Sequence, residues 1–327
     1  MKDRILELLR QESGYLSGQE MSTLLGVSRA AVWKAVEALR KEGYTIDSAP
    51  NRGYHLDAPT GRLSAREIAA RLDGHPWAEL VQVLDSVDST NNLAKTLAAQ
   101  GAPVGTVIVA DSQTGGRGRM GRSFVSPPGV GVYRSVILRP EAPPEELMHL
   151  TCAVAEVLCD GIEVASGLRP GIKWTNDLVS GGRKLCGILT ELSLEAESGH
   201  VQYAVVGAGV NCDQTLSDFP PEIRDMAGSL SMLTGKAVSR NTLAAEMIRA
   251  LSRLDGDLVE NRQEWMDRYR RDCVTIGRAV SVSRAGETRW GQAVDVDDRG
   301  ALLVDFGQGP EAVQSGEVSV RGMYGYV

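Results

Sequence analysis

The stretch Asp111 to Ser123, DSQTGGRGRMGRS, decides how the rest of the chain is read. Four of its residues are glycine (Gly115, Gly116, Gly118, Gly121) and three are arginine (Arg117, Arg119, Arg122). Glycine lets a backbone approach a ligand closely and take dihedrals closed to other residues. Arginine carries a permanent charge on a planar fork of donors that suits carboxylate and phosphate. The loop follows the apolar run Thr106 to Ala110, which reads as a buried strand. A mobile cationic loop at a strand end points to an anionic small molecule, and a solvated surface loop is the plainer reading of the same residues.

Its glycines invite a wrong answer. Gly116-Arg-Gly-Arg-Met-Gly121 matches G-x-G-x-x-G, but a dinucleotide fold needs a helix to open there. The residues that follow, Ser123-Phe-Val-Ser-Pro-Pro-Gly, carry tandem prolines that forbid it. A Walker A sequence is absent as well, so a nucleotide would be held by another device.

Around this loop lies a chain of 327 residues, enough for two or three domains. Hydrophobic content of 43% and charged content of 24% are ordinary for a folded protein. The net charge of −7 excludes a generally basic surface, so any nucleic-acid contact must be local. No run approaches a membrane span, and the opening MKDRILELLRQES is charged throughout, unlike a signal peptide. The five cysteines (Cys152, Cys159, Cys186, Cys212, Cys273) form no close C-x-x-C pair and sit mostly in apolar company. They are expected to be buried reduced thiols of a cytoplasmic protein. His55, His75, His149 and His200 give neither zinc spacing nor a triad.

Upstream, residues 1 to 60 read as a winged helix-turn-helix. Ile5, Leu6, Leu8 and Leu9 mark one helix, and the Ser17–Glu20 capping box opens a second. After the Gly26-Val27 turn, Ser28 caps a third, where Val32, Ala35, Val36 and Leu39 make one apolar stripe. Gly43 ends it, and Tyr44-Thr-Ile and Gly53-Tyr-His-Leu form a hairpin turned at Pro50-Asn51. The third helix would enter a major groove, with Ser28, Arg29, Trp33, Lys34 and Arg40, plus Arg52 of the wing, as DNA contacts. Residues 1 to 57 carry eight Lys/Arg against eight Asp/Glu, so one copy should bind weakly and a dimer on two half-sites is needed. A winged helix used only for protein contacts is the alternative.

A linker at Ala58 to Arg62 and a helix from Ser64 lead to a central α/β domain, residues 61 to 272. There Leu80 to Leu84 is a strand, and Ser89-Thr90-Asn91 begin a helix, placed either to bind a polar ligand or simply to cap. Glu145 to Gly161 reads as one helix and Asn241 to Arg270 as another. Gly171 to Asp177 reads as a strand that pairs, through Gly181-Gly182, with the strand from Lys184. Residues 273 to 327 change character, with short strands at 278–283, 289–296, 301–306 and 317–321. Turns at Gly286, Asp298 to Gly300 and Gly307 to Gly309 separate them, as in a small SH3-like β-barrel.

Four segments taken together are specific: Asp88-Ser-Thr-Asn-Asn; Gln113-Thr-Gly-Gly-Arg-Gly-Arg-Met-Gly-Arg; Lys173-Trp-Thr-Asn-Asp with Arg183-Lys-Leu-Cys-Gly-Ile-Leu; and Val206-Gly-Ala-Gly-Val-Asn. In this order they resemble the bifunctional biotin protein ligase and biotin operon repressor family, the BirA type, from winged helix through barrel. The resemblance implies an α+β multidomain fold with a class II synthetase-like catalytic domain. It implies that biotin and MgATP give biotinyl-5′-AMP, whose acyl group passes to a lysine of a biotin carboxyl carrier protein, an acetyl-CoA carboxylase subunit or similar. It also implies a homodimer that binds operator DNA when the adenylate is bound.

By matching position, Arg117, Arg119 and Lys184 become the catalytic cations. Ser89, Thr90, Asn91, Gln113, Gly118 and Gly187 join them around biotin. Arg122, Phe124, Asn176, Asp177, Gly209 and Asn211 fall on the adenylate side, with Asp177 as the magnesium ligand. Read on its own, Lys184 is a strand-end lysine and Asp177 a turn-forming residue. Met120 stands where the family commonly has a basic residue, Phe124 where tryptophan is usual and Thr175 where proline is. Three other readings share the residues: a biotin-sensing regulator without turnover, a ligase whose winged helix does not bind DNA, and a lipoate ligase of related fold.

Overall fold

The computed structural model describes all residues except 12, 13, 42, 43, 45, 50, 51, 57–60, 196, 285, 286, 315–318 and 323–327. The expected helix stop at Gly43, the Pro50-Asn51 and Gly286 turns, residues 58–60 of the linker and the first two residues of the 317–321 strand lie outside the described residues. The chain divides into two compact units, Met1–Arg62 and Leu63–Val327.

The first unit runs α1 (Lys2–Gln11), α2 (Gly18–Leu25), α3 (Arg29–Lys41), β1 (Ile46–Ala49) and β2 (Gly53–Leu56), with β1 and β2 an antiparallel hairpin. The Ser17 hydroxyl accepts from the Glu20 N–H at 3.0 Å while the Glu20 carboxylate accepts from the Ser17 N–H at 3.1 Å, so the capping box is complete. Ser28 Oγ accepts from the Ala31 N–H at 3.2 Å and starts α3. Val32, Ala35, Val36 and Leu39 are buried with Ile5, Leu6, Leu9 and Met21. Each large side chain of that stripe stabilises the unit by about 1.5–3 kcal/mol.

The second unit contains α4 (Ala65–Arg71), β3 (Val81–Leu84), α5 (Thr90–Ala99), β4 (Val107–Ala110), β5 (Gly131–Leu138), α6 (Leu150–Ser166), β6 (Gly171–Lys173), β7 (Asp177–Ser180), β8 (Arg183–Leu194), β9 (Val201–Asn211), α7 (Leu230–Thr234), α8 (Arg240–Ser252) and α9 (Arg262–Asp272). It continues with β10 (Ala279–Arg284), β11 (Glu287–Val296), β12 (Leu302–Asp305), β13 (Pro310–Val313) and β14 (Ser319–Gly322). Seven strands form one sheet in the order β3-β4-β5-β9-β8-β7-β6, and only β3–β4 is parallel. Helix α5 covers one face, against Ile108, Ile137, Tyr203 and Val205. Residues one step out of phase, such as Val107, Val109, Val132 and Val136, face the larger core under α6 and α8. With both faces covered, β4 and β5 are buried throughout. Arg134 falls in the register of Val132 and Val136 and is fully buried, and none of its three nitrogens has a hydrogen-bond partner among the described residues.

The remaining strands form the small antiparallel SH3-like sheet, β13-β12-β11-β10-β14. Its Val280, Val282, Ala293, Val296 and Leu302 share the core of the seven-stranded sheet. All five cysteines are free and buried, and no helix among the described residues is long and apolar enough to cross a membrane.

Three expected elements differ. The strand expected at 171–177 is two, because Trp174 leaves the sheet: its N–H donates to Thr275 Oγ1 and its indole N–H to the Gly300 carbonyl, both at 2.9 Å. The hairpin through Gly181-Gly182, both at positive φ, therefore joins β7 to β8. The helix expected from Glu145 begins as a separate 3₁₀ turn at Pro144–Leu147 before α6. The helix expected over 241–270 breaks into α8 and α9 around Gly256, at φ 89°.

Candidate active site

Strands β5, β8 and β9, the start of α5 and the loop from Asp111 to Gly129 surround a pocket. Ser89, Thr90, Asn91, Gln113, Arg117, Phe124, Gly187 and Gly209 of the residues chosen from the sequence line it.

The α5 end is built for more than capping. Ser89 occupies the N-cap position, yet its side chain makes no capping bond. The Thr90 N–H instead donates to Gln113 Oε1 at 2.9 Å, so a loop residue closes the helix end. Gln113 Nε2 donates to Ser126 Oγ at 2.9 Å on the returning limb. Further backbone bonds, Gly115 N–H to Asp88 O at 2.8 Å and Phe124 N–H to Gly116 O at 2.9 Å, lay the loop as a flap over α5. The Asp111 carboxylate ties the two ends of this flap. Oδ2 accepts from the Gly129 N–H at 3.1 Å and Oδ1 from the buried Arg240 at 2.6 Å. Met120, exposed at the tip, takes φ 55°, and Gly118 and Arg122 flank it with a 2.7 Å backbone bond.

The floor is bare backbone. Gly187 and Gly209 are opposite one another in the β8–β9 register. A Cβ would meet the Phe124 ring at 3.0 Å from Gly187 and at 2.5 Å from Gly209. Lys184 Nζ stands 5.9 Å over the same ring. Both ends of the Asn91 amide are engaged within the protein. Its Nδ2 donates to Leu189 O at 3.2 Å and to Glu191 at 2.8 Å, and its Oδ1 accepts from Ser135 Oγ at 2.6 Å. Asn91 thus shapes the wall rather than presenting a free amide.

Four of the expected polar groups cluster at the pocket edge. Lys184 Nζ is 2.6 Å from Asp177 Oδ1, and Arg119 Nη1 donates to Asn176 Oδ1 at 3.1 Å. Burial pulls the Arg119 pKa down, an effect the Asp177 carboxylate partly offsets. Arg117 Nη1 donates to Asn92 Oδ1 at 3.0 Å and lies 3.6 Å from Glu191. Asn211 is buried, and its Nδ2 donates to Gly228 O at 3.0 Å. Arg122 is exposed and outside the pocket lining. No group of three or more His, Cys, Asp or Glu residues among the described residues could hold a metal.

In the first unit, Ser28, Arg29, Trp33 and Lys34 are exposed along α3. Arg40, expected among the DNA contacts, is engaged by the hairpin instead. Its Nη2 and Nε donate to Ile46 O at 2.6 and 2.9 Å, and its Nη1 meets Glu37 at 2.6 Å. Arg52 stacks 4.3 Å over the Tyr15 ring.

Sequence reasoning passed over Ser135, Glu191 and Arg240, and the loop-tying role of Asp111. Ser135 and Glu191 were legible only as polar residues in otherwise apolar strands. Arg240 carried no signal beyond its place at a helix start.

A glycine-floored pocket under a cationic flap, in a chain that also carries a helix-turn-helix unit, defines a ligand-binding synthetase joined to a nucleic-acid-binding module. Residues 83–211 match the Biotin/lipoate A/B protein ligase family, 2–55 an HTH domain, and 275–321 the Biotin protein ligase C terminal domain. The chain is 35% identical over 326 residues to the bifunctional ligase/repressor BirA of Bacillus spizizenii, covering 98% of each chain. It is 30% identical to that of Escherichia coli, covering 98% of this chain and 99% of the relative. A biotin protein ligase from Aquifex aeolicus, solved with biotin and ATP, superposes with a TM-score of 0.64 at 28% identity, over 74% of this chain and 98% of that one. The chain belongs to the BirA family of bifunctional biotin ligase/repressors.

Proposed function

We propose that the pocket makes biotinyl-5′-AMP from biotin and ATP and passes the biotinyl group to a carrier lysine. The observation that carries this reading is a glycine-floored pocket lined by Arg117 under a tied flap, with Lys184 and Arg119 paired to Asp177 and Asn176 at its edge. The ureido ring meets Ser89, Thr90 and Gln113, with Gly187 on the floor beside them. The biotin carboxylate oxygen attacks the α-phosphorus, and the bond to pyrophosphate breaks with its electrons leaving on pyrophosphate. Lys184 and Arg119 neutralise charge that grows on the phosphoryl oxygens, a contribution worth on the order of 10²–10³ in rate per group. The flap then keeps water from the mixed anhydride. The carrier amine attacks the acyl carbon, AMP leaves, and the amine proton is lost to solvent.

Magnesium fits this donor set. The ion commonly binds through one or two carboxylates together with substrate phosphates, and Asp177 supplies a carboxylate beside Lys184. Asp177 would hold it there, where its charge offsets that of the pyrophosphate. Asn176 orients Arg119, and Phe124 covers the adenylate side with Gly209 and Asn211.

The regulatory half follows from the helix-turn-helix unit. Ser28, Arg29, Trp33 and Lys34 face operator DNA, and a homodimer formed with the adenylate bound supplies two half-sites. Three functional domains, 1–60, 61–272 and 273–327, divide the labour. Five free thiols suit the reducing cytoplasm. The test mixes the full chain with biotin, MgATP and an acetyl-CoA carboxylase carrier domain, and reads the carrier mass. The expected result is one biotinyl addition on one lysine. An unchanged carrier mass sinks the ligase reading.

A further inference from the structure

We propose that Glu191 is a positioning residue for ligand recognition, holding Arg117 of the flap and Asn91 of the pocket wall on one side of the pocket. Its Oε1 lies 2.8 Å from Lys95 Nζ and 3.6 Å from Arg117 Nη1, and its Oε2 accepts from Asn91 Nδ2 at 2.8 Å. Asn91 and Lys95 are one helical turn apart on α5, so a single helix face grips the carboxylate. Burial opposes its charge, yet the bonds from Lys95 and Asn91 hold its pKa below the ordinary carboxylate value.

The geometry exceeds what a strut between α5 and β8 requires. The Lys95–Glu191 pair alone would tie those elements. The second cation comes from the flap, and its placement is shared. Asn92 accepts from Arg117 at 3.0 Å and donates to Asp88 Oδ2 at 2.8 Å. Arg117 therefore has a hydrogen-bond acceptor on α5 and an ion-pair partner on β8, which orients its planar fork before a ligand arrives. Asn91, held by the same carboxylate, lies against β9 where Gly207 leaves room, since a Cβ there would sit 2.0 Å from Asn91 Oδ1. One carboxylate thus fixes both the charge above the pocket and the wall beside it. Two cations on one carboxylate leave net positive charge for an anionic ligand.

This inference rests on the reading of Arg117 as a ligand group, and the experiment separates the two. Biotin KM and kcat are measured by biotin-dependent pyrophosphate exchange on the full chain with E191Q, E191D, R117Q and E191Q/R117Q. We expect E191Q to raise the biotin KM about tenfold with kcat within about twofold. E191D should recover most of the loss, and the double variant should be no weaker than R117Q alone. An unchanged KM in E191Q, with a raised KM in R117Q, overturns the positioning role. An unchanged KM in R117Q overturns the reading of the flap beneath it. If E191Q does not purify folded, N92A removes the other acceptor of Arg117; a severalfold rise in biotin KM supports the proposal and an unchanged KM overturns it.

Discussion

The Phe124 ring lies on Gly209 so closely that a Cβ there would stand 2.5 Å from its Cε1. The Gly209→Ala variant must therefore push the aromatic off the pocket floor. We expect adenylate formation to fall by at least about tenfold, with stability lowered by about 1–3 kcal/mol. Phe124→Ala removes the clash, so the double variant should match Phe124→Ala alone. Steady-state pyrophosphate exchange on the three variants decides this; a double variant as impaired as the sum of the singles rules out the contact as the cause.

Arg134 should be a net cost to the fold. Burial pulls its pKa down to about 10, and its nitrogens have no partner among the described residues. An apolar side chain of similar length relieves that desolvation, so Arg134→Met should raise stability by about 1–3 kcal/mol. Urea unfolding at neutral pH measures it. A loss of stability would mean the charge has a role in the core.

The Asp160 carboxylate should make the second unit acid-sensitive. Burial raises its pKa, but bonds from Arg169, Arg253 and Arg268 overcome this and hold it at about 2. A folded pKa below the unfolded one stabilises above the unfolded value, and that stabilisation is lost as pH falls through the folded one. The window runs from about pH 4 down to about pH 2, and the contribution at neutral pH is about 2 kcal/mol. Asp160→Asn should lower the melting temperature at pH 7 and flatten its fall over that window. Equal acid sensitivity in parent and variant would refute it.

The Asp111 carboxylate is expected to govern how long the flap stays shut. Asp111→Ala removes the acceptor of both the Gly129 N–H and Arg240. Stopped-flow release of biotinyl-adenylate should quicken by about tenfold. Protease should also cut the empty protein faster between Gly115 and Gly121. Unaltered release together with unaltered cleavage would show that the flap is held elsewhere.

Where helical stripes and capping residues repeat, as at Ser17, Ser28 and Val32 to Leu39, the sequence predicts the local structure well, because neighbours in sequence satisfy each other's hydrogen bonds. The pocket residues were legible through the resemblance carried by four short segments together; the glycine and arginine loop alone left a solvated surface loop equally open. Other features were not visible. Trp174 leaves its strand because Thr275 and Gly300, over a hundred residues away, take its N–H groups. Arg40 reads as a surface cation until the hairpin folds back onto it. Glu191 gains its meaning from Asn91, Lys95 and Arg117, which only the tertiary fold brings together.

The two bonds from Trp174 make the small sheet part of the chemistry. Asn176 and Asp177 lie two and three residues after Trp174, so the bonds to Thr275 and Gly300 anchor the turn that carries the partners of Arg119 and Lys184. Truncating the chain after α9 should thus act as a lesion of the proposed site, since such a fragment would keep every residue proposed to meet substrate while losing the tether near two of them.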